Sequence, residues 1–409
     1  MEKNTQVQQN QATPDIASLI SQLKAVENNV PTNEAARKEL LDAVRRVGFA
    51  LEKEGDTIQR ICYLPIQLTV ARIANDLNLF DILVEANDNS LSVAELAGKT
   101  KTDPILLSTG QRLLRFLASN AIVKETGPDS FAASHITKTL AIPGVKGGIN
   151  HNFDTMLPCY QALPEHLRST SYRNPTDGAN CAFQLGHHTD LPAFAWLPSH
   201  PSNLHNFMQW MTGHRIGYGS WLDVFPVEKE LLRLGDGDDD TDPNLAVFVD
   251  VGGSIGHQCV ALVEKYPQLK GRVVLQDRPE VVANAIPNEG VKAMAHDFMT
   301  EQPIKGAKAY YLRNILHDYP DAICLTILAN LKSSLSPSSS VILIDEMILP
   351  NTGIHWHQAQ LDIGMMAGLA AVERSESQWR ELIARAGLKI RSIWKYTLDL
   401  EDSVLVLGL

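Results

Sequence analysis

The stretch Val247-Phe-Val-Asp-Val-Gly-Gly-Ser-Ile-Gly-His257 decides the fold of this chain. Its apolar start is typical of a buried β-strand that delivers the acidic Asp250, and its glycines predict a sharp turn into a helix. Glycine is favoured there because the chain bends tightly and lets a ligand approach the backbone closely. A second acid, Asp277, ends the next apolar run at residues 272–277. In a β-α-β unit the two strand ends lie side by side, so the pair predicts a ligand with a nucleoside portion.

Strands and helices alternate through the C-terminal part of the chain. This alternation is typical of a doubly wound parallel sheet, with ligand sites at the carboxyl ends of its strands. The last two strands are predicted to add to the sheet in antiparallel fashion. The fold class is therefore α/β, with a Rossmann-like sheet in the C-terminal part and a mainly α-helical N-terminal part. The predicted strands lie near Val247, Val273, Val291, Ala309, Val341, Ile390 and Val404.

Composition and periodicity divide the chain into four segments. Residues 1–15 carry no apolar pattern and are predicted to be disordered. Residues 16–150 have helical periodicity, and helices followed by a short hairpin near Ile122 are typical of a winged helix. We expect this domain to dimerise, because its first helices must bury their apolar faces somewhere. Residues 151–235 are predicted to be a helical substrate-pocket region rich in aromatic and methionine side chains, and residues 236–409 form the Rossmann-like domain.

The acidic charge balance argues against nucleic-acid and membrane partners. The chain has 409 residues and a formal net charge of -11, whereas nucleic acids and anionic membranes attract basic surfaces. The helix that would enter a DNA groove, residues 109–118, carries only Arg112 and Arg115 as basic residues, so dimerisation is preferred to DNA binding. No apolar run reaches the length of a membrane span, and the polar N-terminus indicates no signal peptide, so a cytoplasmic protein is expected.

Neither the cysteines nor the histidines predict a metal site. The five cysteines are scattered and lack a C-x-x-C pair, which favours reduced thiols over disulfides or zinc. His187 and His188 lack further ligands at metal spacing apart from Asp190, so a hydrated helix surface is the preferred interpretation. The acidic loop at residues 235–243 lacks the final Glu of a calcium-binding EF-hand and is interpreted as a solvated linker.

Several polar side chains fall at the strand ends of the predicted sheet. Among them, His317 follows the strand at Ala309 and is flanked by Asp318. A histidine accepts a proton near neutral pH, and nearby carboxylates orient its ring and stabilise the imidazolium. Glu346 and Glu373 are available for that purpose. Beside a nucleoside site, this combination favours a catalytic over a structural histidine.

Six motifs, taken in order, resemble those of a known family. Their sequence is similar to that of S-adenosylmethionine-dependent O-methyltransferases of the plant caffeic-acid and fungal polyketide type. The resemblance covers nearly the whole chain, because that family also carries an N-terminal winged-helix dimerisation domain. The motifs are Asp250-Val-Gly-Gly-Ser-Ile-Gly256, Gln276-Asp-Arg-Pro279, His296-Asp-Phe-Met299, Arg313-Asn-Ile-Leu-His-Asp318, Ile344-Asp-Glu-Met-Ile-Leu-Pro350 and Glu373-Arg-Ser-Glu376.

The resemblance implies S-adenosylmethionine as the cofactor and a homodimer as the assembly. Asp250 and the glycine turn would bind the methionine and ribose portions, and Asp277 the ribose hydroxyls. Asp297 and Phe298 would lie at the adenine, while Arg313 replaces the lysine usual in plant members. The implied cofactor-binding residues are Asp250, Gly252, Gly253, Asp277, Arg278, Asp297, Phe298 and Arg313.

The same resemblance assigns the chemistry to His317. It would be the general base that deprotonates a phenolic hydroxyl of an aromatic, polyketide-type acceptor, with Glu346 and Glu373 positioning it. A phenol has a pKa near ~10 and is a poor nucleophile at neutral pH until a base takes its proton. The residues expected to contact the acceptor are Asp318, Phe153, Met156, Phe207, Met211, Asp362, Met365 and Met366.

Two alternatives to methyl transfer stay open. Some members of this fold have lost methyl transfer and perform pericyclic or dehydration chemistry, and a cofactor-binding cyclase would use His317 to polarise a carbonyl. We expect such proteins to have replaced the histidine, so its retention favours methyl transfer. The other alternative is a winged-helix regulator that senses the cofactor, which the charge balance disfavours. Residues 364–371 differ from the plant substrate loop, so the acceptor is not expected to be a simple phenylpropanoid.

Overall fold

The computed structural model describes residues 15–108, 112–232, 245–337, 340–397 and 399–409. The predicted disordered tail up to residue 14 and the acidic loop at 235–243 lie outside the described residues. The same is true of residues 109–111, the first positions of the predicted groove helix. The chain separates into two compact units, one ending at Tyr63 and the other beginning at Leu64.

The first unit consists of helices that expose their apolar side chains. The predicted break near Pro31 is confirmed, because one helix ends before it and Asn33 caps the next by accepting the Ala36 amide at 3.0 Å. The described residues of these helices include none that is buried. Its helices are α1 (Ile16–Asn28), α2 (Glu34–Leu51) and α3 (Glu54–Cys62).

The second unit begins with a winged-helix arrangement, as predicted. Ser92 and Glu95 form the capping box of one of its helices: the Glu95 amide donates to Ser92 Oγ at 3.2 Å, and the Ser92 amide donates to Glu95 Oε2 at 2.7 Å. Its strands are β1 (Leu91–Ser92), β2 (Val123–Gly127) and β3 (Ser130–Ala133), in the antiparallel order β1-β3-β2. Its helices are α4 (Leu64–Asp76), α5 (Leu79–Glu85), α6 (Val93–Thr100), α7 (Pro104–Ser108), α8 (Arg112–Ser119) and α9 (His135–Leu140).

A helical region follows, as the aromatic-rich stretch predicted. One turn of π-helix, Asn152–Met156, joins its first two helices. The helices are α10 (Pro143–His151), α11 (Leu157–Ser169), α12 (Ala182–His187), α13 (Ala193–Trp196), α14 (Pro201–Gly213) and α15 (Val227–Glu230).

The C-terminal part is a twisted sheet with helices on both faces, as the alternating pattern predicted. Its strands are β4 (Phe248–Val251), β5 (Val273–Asp277), β6 (Val291–Ala295), β7 (Ala309–Arg313), β8 (Val341–Met347), β9 (Lys389–Lys395) and β10 (Asp402–Gly408). Their order is β6-β5-β4-β7-β8-β10-β9, parallel from β6 to β8 and antiparallel beyond. Its helices are α16 (His257–Lys265), α17 (Pro279–Val282), α18 (Asp321–Lys332), α19 (Trp356–Leu369) and α20 (Glu376–Arg385).

Alternating side chains of the central strands build a core on each face of the sheet. Val249 packs in one core with α18 and α20, whereas Phe248 packs in the other with α16. Trp221 joins the second core, where its ring stacks 4.8 Å from Tyr311. Because Trp221 lies in a short 3-10 helix between α14 and α15, this contact packs the helical region against the sheet.

Two features differ from the expectations. The sequence predicts that the strand from Val341 ends at Asp345, with Glu346 directly after it, but β8 continues to Met347 because β10 pairs alongside it from Met347 to Ile342. Glu346 consequently lies inside a buried strand rather than at its end. Residues 356–369 form the long helix α19, whereas the sequence had suggested only a substrate loop nearby. The pattern was hard to read because apolar residues occur all around this helix.

Close backbone packing between α10 and α14 predicts sensitivity to a single methyl group. A Cβ atom added at Gly144 would lie 2.6 Å from the Gly213 Cα. Gly144→Ala should therefore push the helices apart and lower the free energy of unfolding by about 1–3 kcal/mol. Urea unfolding measures the change. Gly98→Ala, on an exposed face of α6 with open space around it, is the matched control and should gain about 0.5–1 kcal/mol.

Candidate active site

The glycine turn after β4 is shaped by contacts that leave no room for side chains. Gly252 has a φ of 76°, a left-handed conformation that favours glycine. A Cβ atom added there would lie 2.7 Å from Ile315 Cδ1 and 3.3 Å from Phe298 Cε1. At Gly253 it would lie 2.5 Å from the Asp250 carboxylate. The backbone of the turn is therefore not covered by side chains at Gly252 and Gly253. The turn packs against two of the other predicted motifs, residues 296–299 and 313–318.

Two acidic residues flank this turn in different ways. Asp277, at the end of β5, accepts hydrogen bonds from the Ser254 amide at 2.8 Å and the Arg278 amide at 2.7 Å. Each bond uses one lone pair, so both oxygens keep capacity to accept a ligand hydroxyl. Asp250 is buried beneath the turn, where the Cys259 thiol donates to it at 3.4 Å. Burial raises the pKa of Asp250 to about 7.

The residues predicted for the adenine lie after β6, next to Asp277. The His296 amide donates to the Asp277 carbonyl at 2.9 Å, which fixes the strand end beside β5. Asp297 is exposed, and its Oδ1 accepts the Met299 amide at 2.9 Å. Phe298 is half-buried against the glycine turn. These residues therefore continue the same edge of the sheet.

Arg313, at the end of β7, meets a buried carboxylate. Its Nε lies 3.7 Å from Asp345 Oδ2, and Tyr396 donates to Oδ1 of the same carboxylate at 2.7 Å. Tyr311 donates to it as well. Burial opposes the charge on Arg313, but Asp345 and Tyr311 outweigh burial and raise the pKa of the guanidinium. A fixed positive charge therefore stands at this strand end.

Three carboxylates surround His317, which lies in a short 3-10 turn after β7. Its Nδ1 lies 2.8 Å from Glu373 Oε1 and 3.9 Å from Glu346 Oε2. Its Nε2 lies 3.4 Å from Asp318 Oδ1. Glu346 also accepts the amides of Ile315 and Leu316 through Oε1, at 3.0 and 2.9 Å. The structure thus brings together all three residues predicted to be catalytic.

Burial and mutual repulsion alter the protonation of this cluster. Burial opposes the imidazolium, but Glu373, Glu346 and Asp318 outweigh it and raise the pKa of His317 well above its ordinary value. Burial also raises the pKa of Glu346 to about 7 and that of Asp318 to about 6. The protonation of His317, Glu346 and Asp318 is therefore coupled.

Several of the predicted acceptor residues lie on α19 or on the π-helical turn that packs against it. The helix α19 contacts both the 3-10 turn of His317 and the π-helical turn that carries Phe153 and Met156. Met156 lies against Gly368, where an added Cβ would be 3.2 Å from its Cε. Phe207 packs 5.5 Å from the His151 ring.

The remaining predicted acceptor residues differ in exposure. Met365 and Met366 are half-buried on α19, whereas Met211 is 39% exposed. Asp362 accepts the Glu373 amide at 2.9 Å and so supports the cluster directly.

Comparison with known proteins identifies the family. Residues 67–142 match the family model of an O-methyltransferase dimerisation domain, and residues 242–389 match that of an O-methyltransferase domain. The O-methyltransferase lepI of Aspergillus flavus is 38% identical over 397 residues, which cover 96% of this chain and 98% of the relative. The chain belongs to the O-methyltransferase family. The demethylsterigmatocystin 6-O-methyltransferase of Aspergillus flavus is 35% identical, over 92% of this O-methyltransferase and 94% of the relative.

Solved structures agree with the fold. The structure described as the LepI complex with SAM superimposes with a TM-score of 0.89 at 37% identity, covering 96% of this O-methyltransferase and 99% of that chain. Another, described as a pericyclic reaction enzyme, gives a TM-score of 0.88 at 37% identity, with the same coverage.

Sequence reasoning missed His214, which lies just after α14. Its Nδ1 is 3.1 Å from the Trp210 carbonyl, so this nitrogen carries the proton. Burial, together with the positive charges of Arg215 and Arg313, lowers the pKa of His214 to about 3. A neutral imidazole thus lies within electrostatic range of His317. No sequence pattern linked it to the site, because the two histidines lie far apart in the chain.

The expectation that His187 belongs to a hydrated helix surface is wrong. Its ring is half-buried, 4.5 Å from Phe183 and 4.5 Å from Trp196, and its Nε2 lies 2.8 Å from the Thr155 carbonyl. His188 is exposed. Within the described ranges, no group of three or more histidine, cysteine and acidic side chains is placed to hold a metal ion.

In the part of the chain that the structure describes, no helix is both long and apolar enough to cross a bilayer.

The raised pKa of Asp250 predicts a pH dependence of stability. The folded carboxyl binds a proton more readily than an unfolded one with the ordinary pKa of 3.8, so the free energy of unfolding should fall as pH rises from about 4 to about 7. Asp250→Asn should remove this contribution, up to about 1.4 kcal/mol per pH unit. Urea unfolding across this range measures it. Asp297→Asn, exposed at the same edge, should keep the wild-type slope; a wild-type slope in Asp250→Asn would contradict the prediction.

Proposed function

We propose that this O-methyltransferase transfers the methyl group of S-adenosylmethionine to a phenolic hydroxyl of an aromatic, polyketide-type acceptor, with His317 as general base. The observation that carries the proposal is the imidazole held by Glu373 at 2.8 Å, in a turn that packs against the glycine turn through Ile315. A proton acceptor and a cofactor cradle therefore share one side of the sheet.

The residues of the cradle fit S-adenosylmethionine. The bare backbone of Gly252 and Gly253 admits a ligand at close range, and Asp277 keeps acceptor capacity for ribose hydroxyls. Asp297 and Phe298 would take the adenine, one by hydrogen bonding and the other by its ring. The bound cofactor supplies an electrophilic methyl group on a sulfonium. The relative described as the LepI complex with SAM supports this choice of ligand.

The two ring nitrogens of His317 have different tasks in this proposal. In the neutral imidazole, Nδ1 donates its proton to Glu373, which fixes the ring and leaves Nε2 with a lone pair. Because the carboxylates raise the pKa of His317, the fraction of this neutral form grows as the pH rises. Nε2 takes the phenolic proton, and Asp318 at 3.4 Å stabilises the imidazolium that forms. General-base catalysis of this kind contributes roughly 10²–10⁴-fold. Holding the hydroxyl in line with the methyl group supplies the remainder.

The proposed acceptor class rests on the kinds of side chain among the predicted acceptor residues. Phe153, Met156, Phe207 and Met366 offer flat and deformable apolar contacts, which suit a fused aromatic ring system. The relative named demethylsterigmatocystin 6-O-methyltransferase supports transfer to an oxygen atom of the acceptor. His214 adds a neutral imidazole that can accept a hydrogen bond from a second acceptor hydroxyl.

A pericyclic or cyclase activity is the second candidate. It is favoured by the similarity to the structure described as a pericyclic reaction enzyme. In that case the His317 cluster would polarise a carbonyl rather than remove a phenolic proton.

His317→Ala separates chemistry from cofactor binding. With the base lost, turnover should fall roughly 10²–10⁴-fold, while the affinity for S-adenosylmethionine, measured by calorimetry, should stay unchanged. Turnover is followed by mass spectrometry of a fungal extract incubated with methyl-labelled cofactor. Asp277→Asn is the converse control and should weaken cofactor binding. Product formed without label would favour the cyclase, and labelled product from His317→Ala at the wild-type rate would refute the base assignment.

We also propose that the enzyme is a homodimer whose N-terminal helices bury their apolar side chains on a second copy. Leu51 is 75% exposed, Ile58 56% and Ile61 55%, although all three are strongly apolar. Leaving such side chains in water is unfavourable by about 25 cal/mol for each Å² of apolar surface. The match of residues 67–142 to an O-methyltransferase dimerisation domain supports the same assembly.

Charged substitutions on α3 should weaken that assembly. Ile58→Asp combined with Ile61→Asp places two carboxylates where the partner would cover apolar surface, so the molar mass measured by light scattering should fall toward that of one chain at low concentration. Glu39→Ala, an exposed polar change on α2, serves as the control and should leave the mass unaltered. Equal masses for the double variant and wild type would exclude this surface as the contact.

A further inference from the structure

We propose that Arg374 is a positioning residue that holds the backbone turn of His317 in its catalytic orientation. The inference rests on the proposed function, since it concerns the base of that reaction. The turn in question is residues 315–319, called here the catalytic turn.

The guanidinium of Arg374 spans the carbonyl side of the catalytic turn. Its Nη1 donates to the Leu316 carbonyl at 2.9 Å, and its Nη2 donates to the Tyr319 carbonyl at 2.9 Å. These carbonyls stand immediately before His317 and two residues after it. The Arg374 side chain is 2% exposed, so water does not compete for these bonds. A planar fork of donors sets the distance between the two carbonyls in a way that a single ammonium would not.

The amide side of the catalytic turn is held by a different residue. Oε1 of Glu346 accepts the amides of Ile315, Leu316 and His317 at 3.0, 2.9 and 3.4 Å. The Glu346 carboxyl group therefore accepts the amides of the turn, while the Arg374 guanidinium donates to its carbonyls. Both side chains are buried, so their hydrogen bonds to the turn are little exposed to solvent.

Arg374 follows Glu373 directly in the chain. Glu373 is hydrogen-bonded to the imidazole at Nδ1, and Arg374 donates hydrogen bonds to the backbone of the turn that carries this imidazole. One dipeptide thus sets both where the turn lies and how the ring is rotated. A shift of Arg374 would displace the ring relative to Glu373 and redirect Nε2.

The far side of the guanidinium is anchored at the start of α18. Asp321 Oδ1 accepts from Arg374 Nε at 3.2 Å and from Nη2 at 2.9 Å. The other oxygen of Asp321 accepts from Arg385 at 2.6 Å. Arg385 touches the same carboxylate without reaching the catalytic turn, and it is 45% exposed. The pair of arginines therefore provides a matched comparison between positioning and simple ion pairing.

The test compares Arg374→Lys with Arg385→Ala in the full-length enzyme. The lysine keeps the charge but loses the fork, so kcat per cofactor-binding site should fall about 10²-fold, with the acceptor KM and the cofactor affinity changed less than about twofold. Counting sites by calorimetry with S-adenosylmethionine removes any effect of misfolded protein. Arg385→Ala should lose some stability but keep kcat.

The pH profile provides a readout that a structural role would not move. The charged or titratable groups around His317 are Glu373, Glu346, Asp318 and, at longer range, His214. Loosening Nδ1 from Glu373 lowers the pKa of the base, so the acid limb of the kcat profile should shift to lower pH. Glu373→Gln should shift it in the same direction, and the double variant should lose less activity than the product of the single losses.

Each outcome decides the proposal. Wild-type kcat and pH profile in Arg374→Lys would overturn it, as would fully multiplicative losses in the double variant. Asp321→Asn loosens the same guanidinium without removing it, and a smaller loss with the same shift of the acid limb would support the proposal even if Arg374→Lys did not fold. Labelled turnover surviving in His317→Ala would refute the proposed function instead, so the two failures are distinguishable.

Discussion

Three buried or nearly buried carboxylates around one imidazole are the constraint on which the rest of this active site depends. Separately, each acid would resist burial, because a charge loses its hydration there. Around His317 the imidazolium partly compensates the negative charge of the carboxylates, and removing it would leave them uncompensated. The elements that carry these residues must therefore pack together. His317 follows β7, Glu346 lies in β8, and Glu373 lies in the loop after α19. The antiparallel strand β10 keeps β8 in a buried position.

The same cluster connects the two halves of the proposed reaction. Ile315 belongs to the turn that Glu346 holds, and its side chain also packs against Gly252 in the cofactor cradle. The turn of the proposed base and the proposed cofactor cradle are thus in direct contact through the Ile315 side chain. A direct contact of this kind suits in-line methyl transfer, where the reacting atoms gain most from being held in place.

The sequence was sufficient for the sheet and for the cluster, since both depend on local signals. Glycines after an apolar run marked the cradle, and polar residues after later runs marked His317 and its acids. The predictions that were wrong concerned features set by residues on other strands or helices. The length of β8 is set by pairing with β10, and the burial of His187 by Trp196 on another helix. His214 comes within electrostatic range of His317 from the end of α14, which is distant from His317 in the chain.

The backbone contact between Gly144 and Gly213 has a consequence for how this enzyme could acquire a new acceptor. Helices packed backbone to backbone cannot shift slightly without steric clashes, so α10 and α14 form a single rigid unit. Divergence within the family should then proceed by substitution of side chains on this helix pair and on α19, while the relative position of α10 and α14 stays the same. For the proposed acceptor site, directed evolution toward bulkier acceptors should accordingly find its productive variants among residues such as Met365 and Phe207 and seldom among the glycines.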